Sequence, residues 1–211
     1  SLHYNRVDSI IGPLLSKTQI WVMARLEIEF SMLPRWQDTI EVETWSRGIE
    51  KLYAFRDFIM TSADGIAVVK GSATWVVLDT ASMKIIRLND ISRDFPSEPQ
   101  ISALGKSADK VNNLTTPLYG KPFEIKYSDM DVNRHVNNVQ YIKWMYDRLG
   151  RETLEARAPQ RCIINFIDES MAGEEVKSGM EKVSDTEYNC NVVRLRDEKE
   201  LCRAKFIFNK L

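Results

Sequence analysis

The stretch DMDVNRHVNN, residues 129–138, contains the residue types that acid–base chemistry needs. It holds His135, the only histidine of the chain besides His3. Asp131, Asn133 and His135 stand at alternate positions, so in an extended segment their side chains would share one face. An imidazole can move a proton near neutral pH, a carboxylate can orient it, and an amide can position a reactant. Such residues also form turns and helix caps, and on these residues alone the turn is the better interpretation.

The residues on either side predict the elements that position this stretch. Residues 123–131 predict a strand, and NNVQYIKWMYDRL, residues 137–149, predicts a helix. The helix has an apolar stripe at spacings of three and four, formed by Val139, Ile142, Tyr146 and Leu149. Asn137 or Asn138 can cap its start. Because the first N–H groups of a helix are free and favour negative charge, we expect those of Val136 and Asn137 to stabilise an oxyanion.

Alternating apolar patterns predict two sets of four strands. The first set covers 21–30, 38–45, 53–60 and 68–79, and the second covers 161–169, 174–183, 187–195 and 200–208. The sets match in order, which indicates one plan repeated, each copy being a long helix wrapped by an antiparallel sheet. The predicted domains are 1–90 and 123–211, joined by a proline-rich linker over 91–122.

The first copy differs from the second at its beginning. Superposing the two patterns places residues 1–17 where the long helix belongs and puts the opening strand before residue 1. Either the first copy is degenerate or a segment precedes this sequence, and we favour the second because a missing strand would expose a sheet edge. The polar stretch has no counterpart in the first copy, which predicts one active site per chain.

Composition excludes several classes of protein. Of 211 residues, 29 are Lys or Arg and 30 are Asp or Glu, so no overall charge favours nucleic acid or an anionic membrane. The chain has three cysteines, Cys162, Cys190 and Cys202, and their spacing is not that of a metal site. The odd number and the spacing predict buried free thiols and no metal, which fits a reducing cytoplasm. There is no glycine-rich phosphate loop, so no cofactor is expected. No signal-peptide pattern opens the given sequence, and no apolar run approaches about 18 residues.

Three segments resemble one family. DMDVNRHVNNVQYIKWMYD (129–147) resembles the Asp-x-Asn-x-His-Val-Asn-Asn-x-x-Tyr-x-x-Trp signature of plant and bacterial acyl-acyl-carrier-protein thioesterases. WVMARLEIEFSMLPRWQDTIEVETW (21–45) is similar to that family's Trp…Arg…Glu…Pro-x-Trp…Thr-Trp pattern, and NFIDESMAGEEV (165–176) matches a segment that carries a glutamate. The resemblance covers nearly the whole chain from Trp21. It implies an α+β fold, the tandem or double hotdog, and hydrolysis of a fatty acyl thioester.

The resemblance also implies a set of catalytic residues. They are Asp131, Asn133, His135 and Glu169. We expect Glu169, with His135, to act as general base on water. Asn133 is expected to position the water or the carbonyl group, and Asp131 to orient the loop and set the protonation state of His135. Plant members carry a cysteine after the glutamate, where this chain has Ser170, so a cysteine nucleophile is disfavoured here.

The partner implied is acyl carrier protein with a fatty acyl chain on its phosphopantetheine thioester. Because carrier proteins are acidic, we expect a basic docking surface drawn from Lys121, Lys126, Arg134, Lys143, Arg148, Arg151 and Arg157. Two alternatives stay open, an acyl-CoA thioesterase and a non-catalytic acyl-binding module. The oligomeric state also stays open, since hotdogs pair and a tandem chain can pair internally or form a homodimer.

Overall fold

The structure, a computed structural model, describes residues 18–88, 96–132 and 134–210. Backbone contacts divide the chain into two compact units, Ser1–Ala108 and Asp109–Leu211. The helix predicted for the first copy falls on residues 1–17, which lie outside the described residues. The predicted domain limits at 90 and 123 stay a prediction.

The first unit is built on four long antiparallel strands. They are β1 (Gln19–Phe30), β2 (Ile40–Glu50), β3 (Tyr53–Ser62) and β4 (Ala67–Asp79), with a short β5 (Lys84–Ile85) on β4. Their order across the sheet is β2-β3-β4-β1. A hairpin turn joins β3 and β4, where Gly65 has φ 78° and its N–H donates to Ser62 O at 2.9 Å.

The second unit repeats this arrangement. Its long strands are β8 (Arg157–Phe166), β9 (Glu175–Lys182), β10 (Glu187–Arg194) and β11 (Lys199–Lys210), in the order β9-β10-β11-β8. Two short strands, β6 (Leu118–Tyr119) and β7 (Phe123–Glu124), pair with β9. The eight predicted strands are thus confirmed, and the matching order confirms the predicted repeat.

A helix packs on the sheet of the second unit. Helix α1 (Asn138–Tyr146) contacts β9, β10 and β11, continues as a 3-10 turn over Asp147–Leu149, and precedes the short α2 (Arg151–Glu155). The predicted cap is confirmed, because the Asn137 side chain accepts the N–H of Val139 at 3.0 Å. No helix in the three described ranges is long and apolar enough to cross a membrane.

The apolar stripe of α1 differs from the predicted one. Its buried residues are Tyr141, Met145 and, in the following turn, Leu149, whereas Val139 is 51% exposed. Leu149 is buried as predicted, and Ile142 and Tyr146 are partly buried. The prediction for Val139 is wrong, because Tyr141 and Met145 form the buried face of α1 instead. Tyr141 can be buried because its hydroxyl has a hydrogen-bond partner inside the unit, the hydroxyl of Ser170.

The described part of the predicted linker, 96–122, is mostly exposed, but several of its residues contact the unit in which they lie. In the first unit, Trp45 Nε1 donates to Ile101 O at 3.0 Å, and Lys106 lies 3.2 Å from the buried carboxylate of Glu27. In the second unit, Val111 is buried and its N–H donates to Asn165 Oδ1 at 2.8 Å. Proline content therefore indicated the absence of long strands here, and not a free connection.

Candidate active site

His135 lies in a tight turn that returns on itself. The N–H of Asp131 donates to His135 O at 2.8 Å, the N–H of Arg134 donates to Asp131 O at 3.1 Å, and Met130 forms a β-bridge with Val136. Arg134 has φ 64°, in the left-handed region. The predicted strand over 123–131 is therefore wrong after Glu124, as is the extended segment that would align Asp131 with His135.

The turn brings Asp131 close to His135 by another route. Asp131 Oδ1 accepts the backbone N–H of His135 at 3.2 Å, so this carboxylate orients the loop that presents the imidazole. Asn133 lies outside the described residues, and its role stays a prediction.

Glu169 faces His135 from the loop that follows β8. Its Oε2 lies 3.4 Å from Nδ1 of His135, a distance at which a protonated imidazole forms an ion pair. The two side chains are 44% and 36% exposed, so water and a substrate can reach both. The two segments are also joined by the Val136 N–H, which donates to Ser170 O at 3.2 Å. The structure thus brings Asp131, His135 and Glu169 together.

The predicted oxyanion donors are occupied. The N–H of Val136 is bound by Ser170 O, and the N–H of Asn137 donates to Asp129 O at 2.9 Å. The prediction for these two groups is therefore wrong, because the residues before a capped helix are held by the loops around it. Among the described residues, no acceptor contacts the N–H of Asn138, the first residue of α1. Asn138 is an exposed residue, so its N–H is a candidate backbone donor at the helix start.

Ser170, the residue after Glu169, is buried. The residue is 1% exposed, and its Oγ lies 2.6 Å from the Tyr141 hydroxyl. Burial raises the pKa of Tyr141 to about 12, so that hydroxyl stays protonated and cannot serve as a base at neutral pH. Ser170 therefore packs the loop and is not placed as a nucleophile.

The cysteines are equally unsuited to nucleophilic chemistry. Cys162, Cys190 and Cys202 are free and buried, as predicted. Burial raises the pKa of Cys190 to about 12 and raises those of Cys162 and Cys202 as well. Thiols with raised pKa values are protonated at neutral pH and react slowly. Within the described residues, no cluster of three His, Cys, Asp or Glu side chains could hold a metal ion.

These buried groups predict a loss of stability in alkali. The folded-state pKa values of Cys190 and Tyr141, both about 12, lie above the ordinary values of 9.0 and 10.0. The unfolded chain therefore releases these protons first, so their stabilising contribution is complete below about pH 9 and is lost as the pH approaches about 12. Urea titrations from about pH 8 to about pH 11 should show the free energy of unfolding falling. In a Tyr141→Phe variant the free energy of unfolding should fall less steeply with pH. A dependence on pH identical to that of the wild type would contradict the role of Tyr141.

The predicted basic surface is only partly available. Four of its members contact acceptors in the chain: Arg148 with Leu118 O, Arg157 with the Tyr188 hydroxyl, Arg151 with Glu155, and Lys126 with Glu124. Lys126 and Arg151 are nevertheless exposed, as are Lys121, Arg134 and Lys143.

Two family models match the chain. The acyl-ACP thioesterase N-terminal domain matches residues 6–95, and the acyl-ACP thioesterase C-terminal domain matches residues 114–210. The polar turn and Glu169 both lie in the second matched range. The chain belongs to the acyl-ACP thioesterase family.

Individual relatives agree with this assignment. The chain is 25% identical over 209 residues to the chloroplastic palmitoyl-acyl carrier protein thioesterase of Gossypium hirsutum, covering 91% of this chain and 50% of that protein. The chain spans about half the length of the curated relatives that it matches.

Solved structures confirm the fold. The 12:0-ACP thioesterase from Umbellularia californica superposes with a TM-score of 0.82 at 19% identity, covering 100% of this chain and 86% of that one. A Mycobacterium tuberculosis protein described as a double hotdog superposes with a TM-score of 0.55 at 10% identity, covering 98% and 79%. The predicted α+β tandem hotdog is therefore confirmed.

Proposed function

We propose that this chain hydrolyses the thioester of fatty acyl-acyl carrier protein and releases the free fatty acid, as a step of fatty acid biosynthesis. The observation that carries the proposal is the 3.4 Å approach of Glu169 to His135 in a member of the acyl-ACP thioesterase family. The relatives named above are a palmitoyl-acyl carrier protein thioesterase and a 12:0-ACP thioesterase, so their names support a fatty acyl substrate.

In the proposed mechanism, Glu169 and His135 act as a pair on water. Glu169 accepts a proton from the water, whose oxygen attacks the thioester carbonyl carbon. The N–H of Asn138 stabilises the oxyanion, Asn133 positions the carbonyl group, and Asp131 keeps His135 in place. The carbon–sulfur bond then breaks, and the departing thiolate takes the proton that the pair received.

A direct attack by water is supported by the burial of the alternative nucleophiles. Ser170 is bonded to Tyr141, and the three cysteines are buried thiols with raised pKa values. Glu169 is exposed enough to meet solvent, and hydrolysis consumes only water. The proposed reaction therefore needs neither a metal nor an organic cofactor.

The proposed partner is an acidic acyl carrier protein. Five cations of the predicted surface are exposed: Lys121, Lys126, Arg134, Lys143 and Arg151. Arg134 is adjacent in sequence to Asn133 and His135. Positive charge near the site would steer an acidic partner and align its acyl arm. A cytoplasmic location and a homodimer stay predictions. The free thiols are typical of a reducing compartment, whereas the cotton relative is chloroplastic by name.

Matched substrates test the proposal. Initial rates of fatty acid release are measured for acyl-acyl carrier protein and for acyl-CoA of the same acyl chains, over a series of chain lengths. We expect kcat/KM to be at least about 10-fold higher for the carrier-protein substrate, because its charge adds to recognition. Faster hydrolysis of acyl-CoA would make the chain an acyl-CoA thioesterase. Stable binding of acyl groups without turnover would make it a binding module.

A further inference from the structure

Arg194, at the end of β10, is buried behind the loop that carries Glu169. The residue is 6% exposed, and its guanidinium makes several hydrogen bonds. Nη1 donates to the backbone O of Glu169 at 3.0 Å, and Nη2 donates to Asp168 Oδ2 at 2.9 Å. Nε and Nη2 donate to the two oxygens of Asp197 at 3.0 and 2.8 Å. One side chain thus joins the β10–β11 turn to the side chain of Asp168 and to the backbone of Glu169, the proposed base.

Other contacts hold the same loop, and one of them depends on Arg194. The N–H of Met171 donates to Glu174 Oε2 at 3.1 Å, and that carboxylate lies 3.7 Å from Arg194 Nη1. Lys199 lies 2.9 Å from Asp168, so a second cation also neutralises the loop. The loop is therefore anchored on both sides of Glu169, with Arg194 contacting both anchors.

Charge explains why an arginine is needed at this position. Asp168, Glu174 and Asp197 all present carboxylates to Arg194, and without it these groups would repel one another in a partly buried space. Hydrogen bonds from Arg194 lower the pKa of Asp197 to about 2, so the pair stays charged across the working range of an enzyme. The planar guanidinium makes four hydrogen bonds here, two of them side by side to Asp197, whereas an ammonium group has only three donors and no fixed paired geometry.

We propose that Arg194 is a positioning residue that holds the Glu169 carboxylate at its working distance from His135. Arg194 acts through the backbone oxygen of Glu169 and the carboxylate of Asp168, not through the Glu169 side chain. A displacement of about 1 Å in a reacting group can cost ~100-fold in rate. Loss of the contacts from Arg194 should therefore lower the rate of the chemical step. The inference rests on the proposed role of Glu169 as general base.

The test compares the same substitution, arginine to lysine, at two arginines of one sheet whose side chains have little exposure. Arg194→Lys keeps the positive charge but loses the planar guanidinium and its paired N–H donors. Arg203→Lys does the same on β11, where Arg203 contacts Glu200, Asn113 and Val111 O but not the Glu169 loop. We expect Arg194→Lys to lower kcat by ~10- to 100-fold with KM within about 3-fold of wild type. Arg203→Lys should keep kcat within about 3-fold at a comparable loss of Tm.

Two further measurements keep the outcome decisive. Asp168→Asn weakens one anchor without removing a buried cation, and it should also lower kcat. It therefore tests the inference even if Arg194→Lys does not fold. Crystal structures of the variants should show a longer Glu169–His135 distance for Arg194→Lys and Asp168→Asn but not for Arg203→Lys. A wild-type kcat and an unchanged distance in the Arg194 variant would overturn the inference, as would equal losses of kcat in both lysine variants. A wild-type chain that hydrolyses no thioester would instead refute the proposed function, while the distances would still test the anchor.

Discussion

The Glu169→Gln variant is expected to lose about 1,000-fold in kcat for thioester hydrolysis, with KM little changed. A positioned general base contributes ~100- to 10,000-fold, and glutamine matches glutamate in shape but cannot accept the proton of the attacking water. Because the Glu169 side chain is 44% exposed and its loop is held by backbone contacts, the variant should fold as the wild type does. Release of fatty acid from acyl-acyl carrier protein, measured with Tm on the same samples, gives both quantities.

Ser170→Ala is the matched control on the same loop. It removes the neighbouring hydroxyl and leaves the Tyr141 hydroxyl without its buried partner, so a loss of stability of about 1–3 kcal/mol is expected. Its kcat should stay within about 5-fold of wild type, since water and not Ser170 attacks the thioester. Near wild-type activity of Glu169→Gln, or a comparable loss in Ser170→Ala, would contradict the assigned roles.

Met145→Ala is expected to have the largest effect on stability, about 3 kcal/mol. Met145 is fully buried where α1 packs on the sheet of the second unit, and truncating a buried methionine removes apolar contacts and leaves a cavity. Urea titrations of the free energy of unfolding measure this loss, with the m-value showing whether unfolding stays two-state.

Val139→Ala provides the control on the same helix. The alternative stripe predicted from the sequence would bury Val139, whereas the structure leaves it 51% exposed. We therefore expect its substitution to change the free energy of unfolding by no more than about 0.5 kcal/mol. Equal losses for Val139→Ala and Met145→Ala would contradict the exposed position of Val139.

The strands were predictable because alternation along a strand is a local property. All eight long strands fall within a few residues of their predicted positions, and the repeat follows from their order. The burial of Tyr141 was not predictable, because the partner of its hydroxyl, Ser170, lies 29 residues away in the sequence. Tyr146, which the spacing favoured equally, is only partly buried.

The site was predictable in its residue types but not in its geometry. The resemblance indicated His135 and Glu169, and the structure places them in contact. The turn around His135 depends on a left-handed Arg134, which no apolar pattern records. The N–H of Val136 is bound by Ser170, 34 residues away in the sequence. The buried Arg194 binds the backbone of Glu169, 25 residues away. Such contacts form only when the sheet and its loops have assembled.

A double-mutant cycle on Glu169 and His135 tests the central claim most directly. Rates of fatty acid release from acyl-acyl carrier protein are measured for wild type, Glu169→Gln, His135→Gln and the double variant. If the two side chains act as one unit on the attacking water, each single variant should lose at least ~100-fold in kcat. The double variant should then lose little more than the worse of the two. Fully additive losses, or a single variant with near wild-type kcat, would contradict a shared role for this pair.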